Sequence, residues 1–160
     1  MYGLYVQSYG LRADDLTRMA TIQTSQVLNM LGENTSTTMN PNAATVFLKN
    51  GSYVVLNVFE GCNGVNVIII FVAFIIAFGG PTRTMIWFLP MGVAVVHLCN
   101  LLRLSLLYFT AQHYEQYFYF VHKYFFTAVS YLIIFALWAV WIIRYNVRSS
   151  QEEHQSKHNR

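Results

Sequence analysis

Charge is what this sequence lacks most: Asp, Glu, Lys and Arg make up 11% of its 160 residues, where a soluble domain carries about 25%. That deficit excludes an ordinary soluble domain. The basic residues are scattered, and a net charge of +3 without a basic face excludes nucleic acid as a partner. Cysteine is nearly absent too. Cys62 and Cys99 are expected at depths about 10 to 15 Å apart along their helices, too far for a disulfide. No repeat at a solenoid period is present. Met1 to Leu11 has neither the basic start nor the apolar run of a signal peptide. His97 and Cys99 stand two apart, on different faces of one helix, and no further ligand accompanies them at that depth. Neither a metal nor a cofactor is expected.

What the sequence has instead is hydrophobicity, 55% of all residues, gathered into long runs. Three stretches, Gly64 to Gly80, Met85 to about Phe109, and Tyr124 to Ile143, each approach the ~20 residues that cross a ~30 Å hydrocarbon core. All three read as transmembrane helices. Residues 1 to 57 are polar and rich in Asn and Thr, and form an extramembrane segment. Within it, Asp14 and Asp15 start a helix that runs to about Leu31 and stops at Gly32, with Leu16, Met19, Ala20, Gln23, Val27, Met30 and Leu31 along one stripe. Glu33 to Ala43 reads as a loop. Thr45 to Leu48 and Tyr53 to Val58 flank Asn50-Gly51, a strong hairpin signal. The expected fold is an all-α polytopic membrane protein with three transmembrane helices and a small helix-plus-hairpin cap.

Basic residues beside the helices orient such a chain. Arg83 lies in the connector between the first two helices, and Arg144, Arg148, Lys157 and Arg160 follow the third. Both belong on the cytoplasmic side, with Lys123 dissenting. The expected organisation is an extracytoplasmic cap over 1–57, a membrane domain over 58–143 and a cytoplasmic basic tail over 144–160, whose His154 and His158 lie in a solvated, disordered end. A multi-pass protein of the cell membrane follows, its partners the lipid bilayer and whatever meets its outer face. A polar cap of this length needs something to carry it across, and Tyr2-Gly3-Leu4-Tyr5-Val6 resembles the outer end of a preceding helix. An N-terminal membrane anchor is expected to be missing.

Several polar residues fall at the outer boundary. Glu60-Gly61-Cys62-Asn63-Gly64 opens the first apolar helix. A thiol there meets the positive end of a helix dipole, which favours thiolate, though a small buried cysteine at a helix entry has the same appearance. Arg103 lies in an otherwise apolar helix, one to two turns below the boundary. An arginine at that depth costs several kcal/mol unless it snorkels or finds a partner. Asn100 shares its face one turn earlier, and a helix-helix hydrogen bond from Asn100 is the structural alternative. His122 opens the third helix and His113 lies in the same outer loop, amid a belt of Tyr and Phe. A thiol, a proton shuttle and a fixed cation converging on one face make a complete acyl-transfer set.

At these residues the sequence resembles the exosortase and archaeosortase family of membrane cysteine transpeptidases, particularly the compact branch called exosortase F. The elements that match are Glu60-Gly61-Cys62-Asn63-Gly64 opening a helix, Asn100-Leu101-Leu102-Arg103 in the next, and His122 opening the last. The similarity spans about Val58 to Ile143. The resemblance implies Cys62 as nucleophile, Arg103 as stabiliser of the tetrahedral intermediate and His122 as acid/base, with Glu60, Asn63 and Asn100 in support. It also implies membrane-tethered protein substrates that end in a recognition motif, a transmembrane helix and a basic tail. Many exosortases have Ser after the cysteine, where this chain has Asn63. Many have Gly four positions after the histidine, where this chain has Phe126, so His113 stays open as the alternative acid/base. Two functions from other classes compete: a non-catalytic membrane scaffold, and a small transporter subunit in which Arg103 lines a water path with His97.

Overall fold

A computed structural model describes residues 13–114, 116, 118 and 121–158, with side chains placed over 13–114, 116, 118 and 123–144. The Tyr2–Val6 segment lies outside the described residues. Helix α1 (Asp15–Met30) leads into three strands, β1 (Thr35–Met39), β2 (Thr45–Asn50) and β3 (Tyr53–Phe59). A single 3-10 turn, Glu60–Cys62, then opens onto the helices α2 (Val65–Phe78) and α3 (Thr82–His113). A π-helical turn, Val121–Phe125, precedes α4 (Phe126–His158).

The cap is not the helix plus hairpin expected, and the chain is not all-α. Its sheet has three antiparallel strands in the order β1-β2-β3. The extra strand β1 comes from the stretch read as a loop. Thr, Ser and Asn mark turns by composition, yet a run of threonines also suits a pleated strand. Asn29 decides between them: its Oδ1 accepts from the Thr35 N–H at 2.7 Å and its Nδ2 donates to the Thr35 carbonyl at 3.1 Å. The hairpin forms where expected, with Asn50 paired to Tyr53 across Gly51, whose φ is +57°.

The buried face of α1 also differs from the expected stripe. It consists of Thr17, Ala20, Thr21, Thr24, Ser25 and Leu28, whereas Leu16, Met19, Met30 and Leu31 are exposed. Hydroxyls can be buried here because each is satisfied. Thr21 and Thr24 donate to the carbonyls of Thr17 and Ala20 at 2.7 and 2.8 Å, and Ser25 hydrogen-bonds with Thr35. Small side chains then let α1 approach the sheet and α3 closely.

Among the described residues two helices are long and apolar enough to cross a membrane, Thr82–His113 and the Lys123–Arg144 part of the last helix. The expected first span is shorter: α2 has 14 residues, about 21 Å at 1.5 Å per residue. Gly64 caps one end with φ +78° and Gly79 the other with φ +74°, so the glycines counted into the apolar run terminate it. At the other extreme α3 has 32 residues, about 48 Å, more than a bilayer core requires. Its two halves serve different cores. The first packs on α2 and α4 through Phe71, Ile75, Phe88 and Trp141. The second packs on the cap, where Leu104, Leu107 and Tyr108 join Leu28, Leu48, Leu56 and Val58. The last helix does not end at Ile143 but runs to His158, so the segment carrying His154 and His158 continues the helix.

Close approach of α2 and α3 depends on Gly92. A Cβ there would sit 2.2 Å from the ring of Phe71, which is fully buried and has nowhere to move. Gly92→Ala is therefore expected to destabilise the fold by about 1–3 kcal/mol, read as a lower unfolding midpoint in detergent micelles.

Candidate functional site

The site forms where cap and helical bundle meet. Glu60-Gly61-Cys62 makes the 3-10 turn after β3, Asn63 follows, and Gly64 turns the chain into α2. Several contacts hold this turn. Asn63 Oδ1 accepts from the Val65 N–H at 3.0 Å, an Asx turn that starts α2. Asn63 Nδ2 donates to Thr17 Oγ1 at 3.1 Å, and the Thr17 hydroxyl in turn donates to buried Asp14. From the other side Asn100 Nδ2 donates to the Cys62 carbonyl at 3.1 Å. Gly64 makes that contact possible: its φ of +78° favours glycine, and a Cβ would lie 3.0 Å from Asn100 Cγ.

Arg103 stands one helical turn beyond Asn100 on α3, about 4.5 Å further along the axis. Because Asn100 lies level with the start of α2, Arg103 sits past that level, toward the cap. Its Nε is buried and, among the described residues, has no hydrogen-bond partner. With Asn100, Cys99, Gly64, Phe126 and Ser130, Arg103 lines a small pocket between α2, α3 and α4. Cys62 is 4% exposed and lines a different cavity, against β3. Asn100 links the two, lining the first cavity and holding the backbone carbonyl of the cysteine that faces the second.

Electrostatics at the thiol differ from the sequence expectation of a favoured thiolate. Burial pushes the Cys62 thiol above its ordinary value, and the Arg103 charge and a backbone hydrogen bond at Phe59 pull back without overcoming it. The resting group is therefore a thiol that must be deprotonated. Removing the charge should raise its pKa further. In a Cys99→Ala background, the pH midpoint for iodoacetamide alkylation of Cys62 is expected to lie above that of an exposed thiol, and Arg103→Gln should move it higher still. Glu60, half-buried in the turn, is raised by burial and then by the nearby Asp14 carboxylate.

The histidines part company. His113 is exposed in the last turn of α3, its Nδ1 donating to the Phe109 carbonyl at 3.2 Å. His122 lies in the π-helical turn that opens α4, and its side chain is outside the described set. Four residues later Phe126 is buried in the cluster that contains Cys62, and lines the Arg103 pocket as well. His97 lines neither cavity. Its Nε2 meets Gln23 Oε1 at 2.8 Å and ties α1 to α3. Among the described residues no group of three potential metal ligands occurs.

Sequence reasoning missed Thr17, which braces Asn63 from 46 residues away, and Asp14 behind it; no local pattern signals that contact. It also missed Leu104, Leu107 and Phe118, the apolar wall facing Cys62.

Compared with known proteins, the chain matches the family model of the transmembrane exosortase over residues 4–148. No curated protein and no solved structure matches it.

Proposed function

The chain belongs to the transmembrane exosortase family of membrane proteins that sort secreted proteins, and on that basis we propose that it is a cysteine transpeptidase acting at the outer face of the membrane through Cys62. The Cys62 thiolate attacks the scissile carbonyl carbon of a membrane-tethered polypeptide, forming a C–S bond as the carbonyl electron pair moves to oxygen. Arg103 supplies the cation for that oxyanion. His122 takes the thiol proton and returns it to the departing amine as the C–N bond breaks, leaving a thioester. An amine or water then attacks the thioester and releases the thiol. The single observation carrying this reading is the pinning of the Cys62 turn to the helix bearing Arg103: Asn100 holds the Cys62 carbonyl at 3.1 Å while the Arg103 charge acts on the thiol. His122 is favoured over His113 because α4 begins beside the cluster containing Cys62, whereas His113 is exposed at the end of α3. Asn63 after the cysteine fits the compact exosortase F-like branch.

The substrates in this reading are secreted proteins whose C-terminal sorting signals place a recognition motif just outside the membrane. The topology has three passes, with α2 crossing as a short span over a locally thinned bilayer, the cap over 1–57 outside and the tail over 144–160 in the cytoplasm of a cell-membrane protein. Arg83 at one end of α3, and Arg144 and Arg148 along α4, support it. Reporter fusions after Asn50 and after Asn146 are expected to report opposite sides, and labelling of Cys62 by a membrane-impermeant thiol reagent should succeed on intact cells. The same side for both fusions would overturn the topology.

A further inference from the structure

Helix α1 has three faces. Its small, hydroxyl-bearing side chains pack on the sheet and α3. Asp15, Arg18, Gln26 and Asn29 make an exposed polar strip. Leu16, Met19, Gln23, Val27 and Met30 lie between the two, at the three- and four-residue spacing of a single helix face. Leu16, Met19 and Met30 are exposed, and Gln23 and Val27 are half-buried. From Met19 to Gly32 the chain carries no charge.

The middle residue of this stripe fixes its depth. Gln23 Oε1 meets His97 Nε2 at 2.8 Å, and His97 stands about 22 Å from Thr82 along α3, a helix of about 48 Å. A hydrocarbon core of about 30 Å placed anywhere within that length covers His97. Leu98 beside it and Leu102 one turn on are exposed, so the outer surface of α3 is apolar at this level as well. After α1 the chain has risen: Tyr108 Oη donates to Glu33 Oε2 at 2.9 Å, about 16 Å further along α3 than His97. The stripe therefore slants, deepest around Met19 and Gln23 and shallowest at Met30.

We propose that α1 is a membrane-interface helix, its Leu16, Met19, Val27 and Met30 seated against the acyl chains of the leaflet on the cap's side and its polar strip turned to water. The inference rests on α3 crossing the membrane and not on any chemistry at Cys62. Lipid then holds the cap by one face of α1, while Thr17 on another face braces Asn63 beside the cysteine. The depth of the Cys62 turn is thereby set by the bilayer.

Spin labels test this in the full chain carrying Cys62→Ala and Cys99→Ala, in phosphatidylcholine nanodiscs. Leu16→Cys, Met19→Cys, Met30→Cys and Arg18→Cys each take a nitroxide at an exposed position, with Leu98→Cys on α3 as the reference. Oxygen concentrates among acyl chains, whereas a nickel chelate stays in water, so the ratio of their relaxation effects reads depth. That ratio is expected to be severalfold higher at Leu16 and Met19 than at Arg18, which neighbours Met19 but lies on the polar strip, and intermediate at Met30. Equal ratios at Met19 and Arg18, or low ratios at Leu16 and Met19 beside a high one at Leu98, would show a stripe that does not face lipid and overturn the inference alone. Exclusion of both reagents from the stripe would show it covered by protein, a second copy or a partner, and overturns it too. A low ratio at Leu98 would remove the spanning role of α3 and the inference with it.

Discussion

Cys62→Ala is expected to abolish processing of a co-expressed sorting-signal substrate, a loss on the order of a thousandfold or more, while the protein remains folded in the membrane. The reason is that acyl-enzyme formation needs a thiol at this turn, and the other cysteine, Cys99, lines the interhelical pocket on α3 instead. Fold should survive because the turn is held by backbone and amide contacts that do not involve the sulfur: Asn100 to the Cys62 carbonyl, Asn63 to Val65 and Thr17. Losing one buried sulfur costs no more than a small core truncation, about 1 kcal/mol. Cys62→Ser should be almost as inactive, since a buried hydroxyl stays protonated where even the thiol is pushed up. Substrate cleavage followed by immunoblot at matched protein levels, together with the micelle unfolding midpoint, separates the two effects. Full processing by the alanine protein would remove the proposed mechanism.

Arg103→Lys is expected to reduce processing by about a hundredfold or more, although the charge is kept. Lysine offers a point charge on a flexible stem, whereas guanidinium directs several donors from one plane. The buried Nε of Arg103, without a hydrogen-bond partner among the described residues, is a donor whose desolvation is uncompensated, which normally costs about 1–3 kcal/mol. Stabilisation of an oxyanion formed only during reaction is a reason to keep it so. If Arg103 merely anchored α3 at the interface, lysine would substitute well, and near-normal processing by the Lys protein at equal abundance would reassign it as structural. Asn100 should respond differently. Its amide positions the Cys62 carbonyl, so a change there is expected to shift the reactivity of Cys62 toward a small thiol reagent as well as toward substrate.

Family membership was legible from local motifs, because Glu-Gly-Cys-Asn-Gly before an apolar run, Asn-Leu-Leu-Arg in the next and a histidine opening the last each keep their chemistry within a few residues. The membrane character was legible for the same kind of reason, since hydropathy accumulates along the chain. The cap was read less well. A Thr- and Asn-rich stretch has one composition whether it is a loop or a strand, and pairing with β2, with Thr35 held by Asn29 and Ser25, makes it β1. The face of α1 misled because burial of apolar side chains was taken as the organising force, while the packing partners there require small side chains with satisfied hydroxyls.

By itself, then, the sequence determined that this is a membrane protein of the exosortase family, which residue types stand at the helix boundaries, and where the hairpin turns, all properties fixed by neighbours within one or two turns of chain. The tertiary structure alone decided that α3 outlasts α2, which lifts Arg103 above the start of α2, that Asn100 fastens onto Cys62 across 38 residues, and that burial outweighs the arginine charge at the thiol. Each of those depends on distances between segments remote in sequence, and a free energy of desolvation or of a hydrogen bond exists only once the fold has chosen the partners.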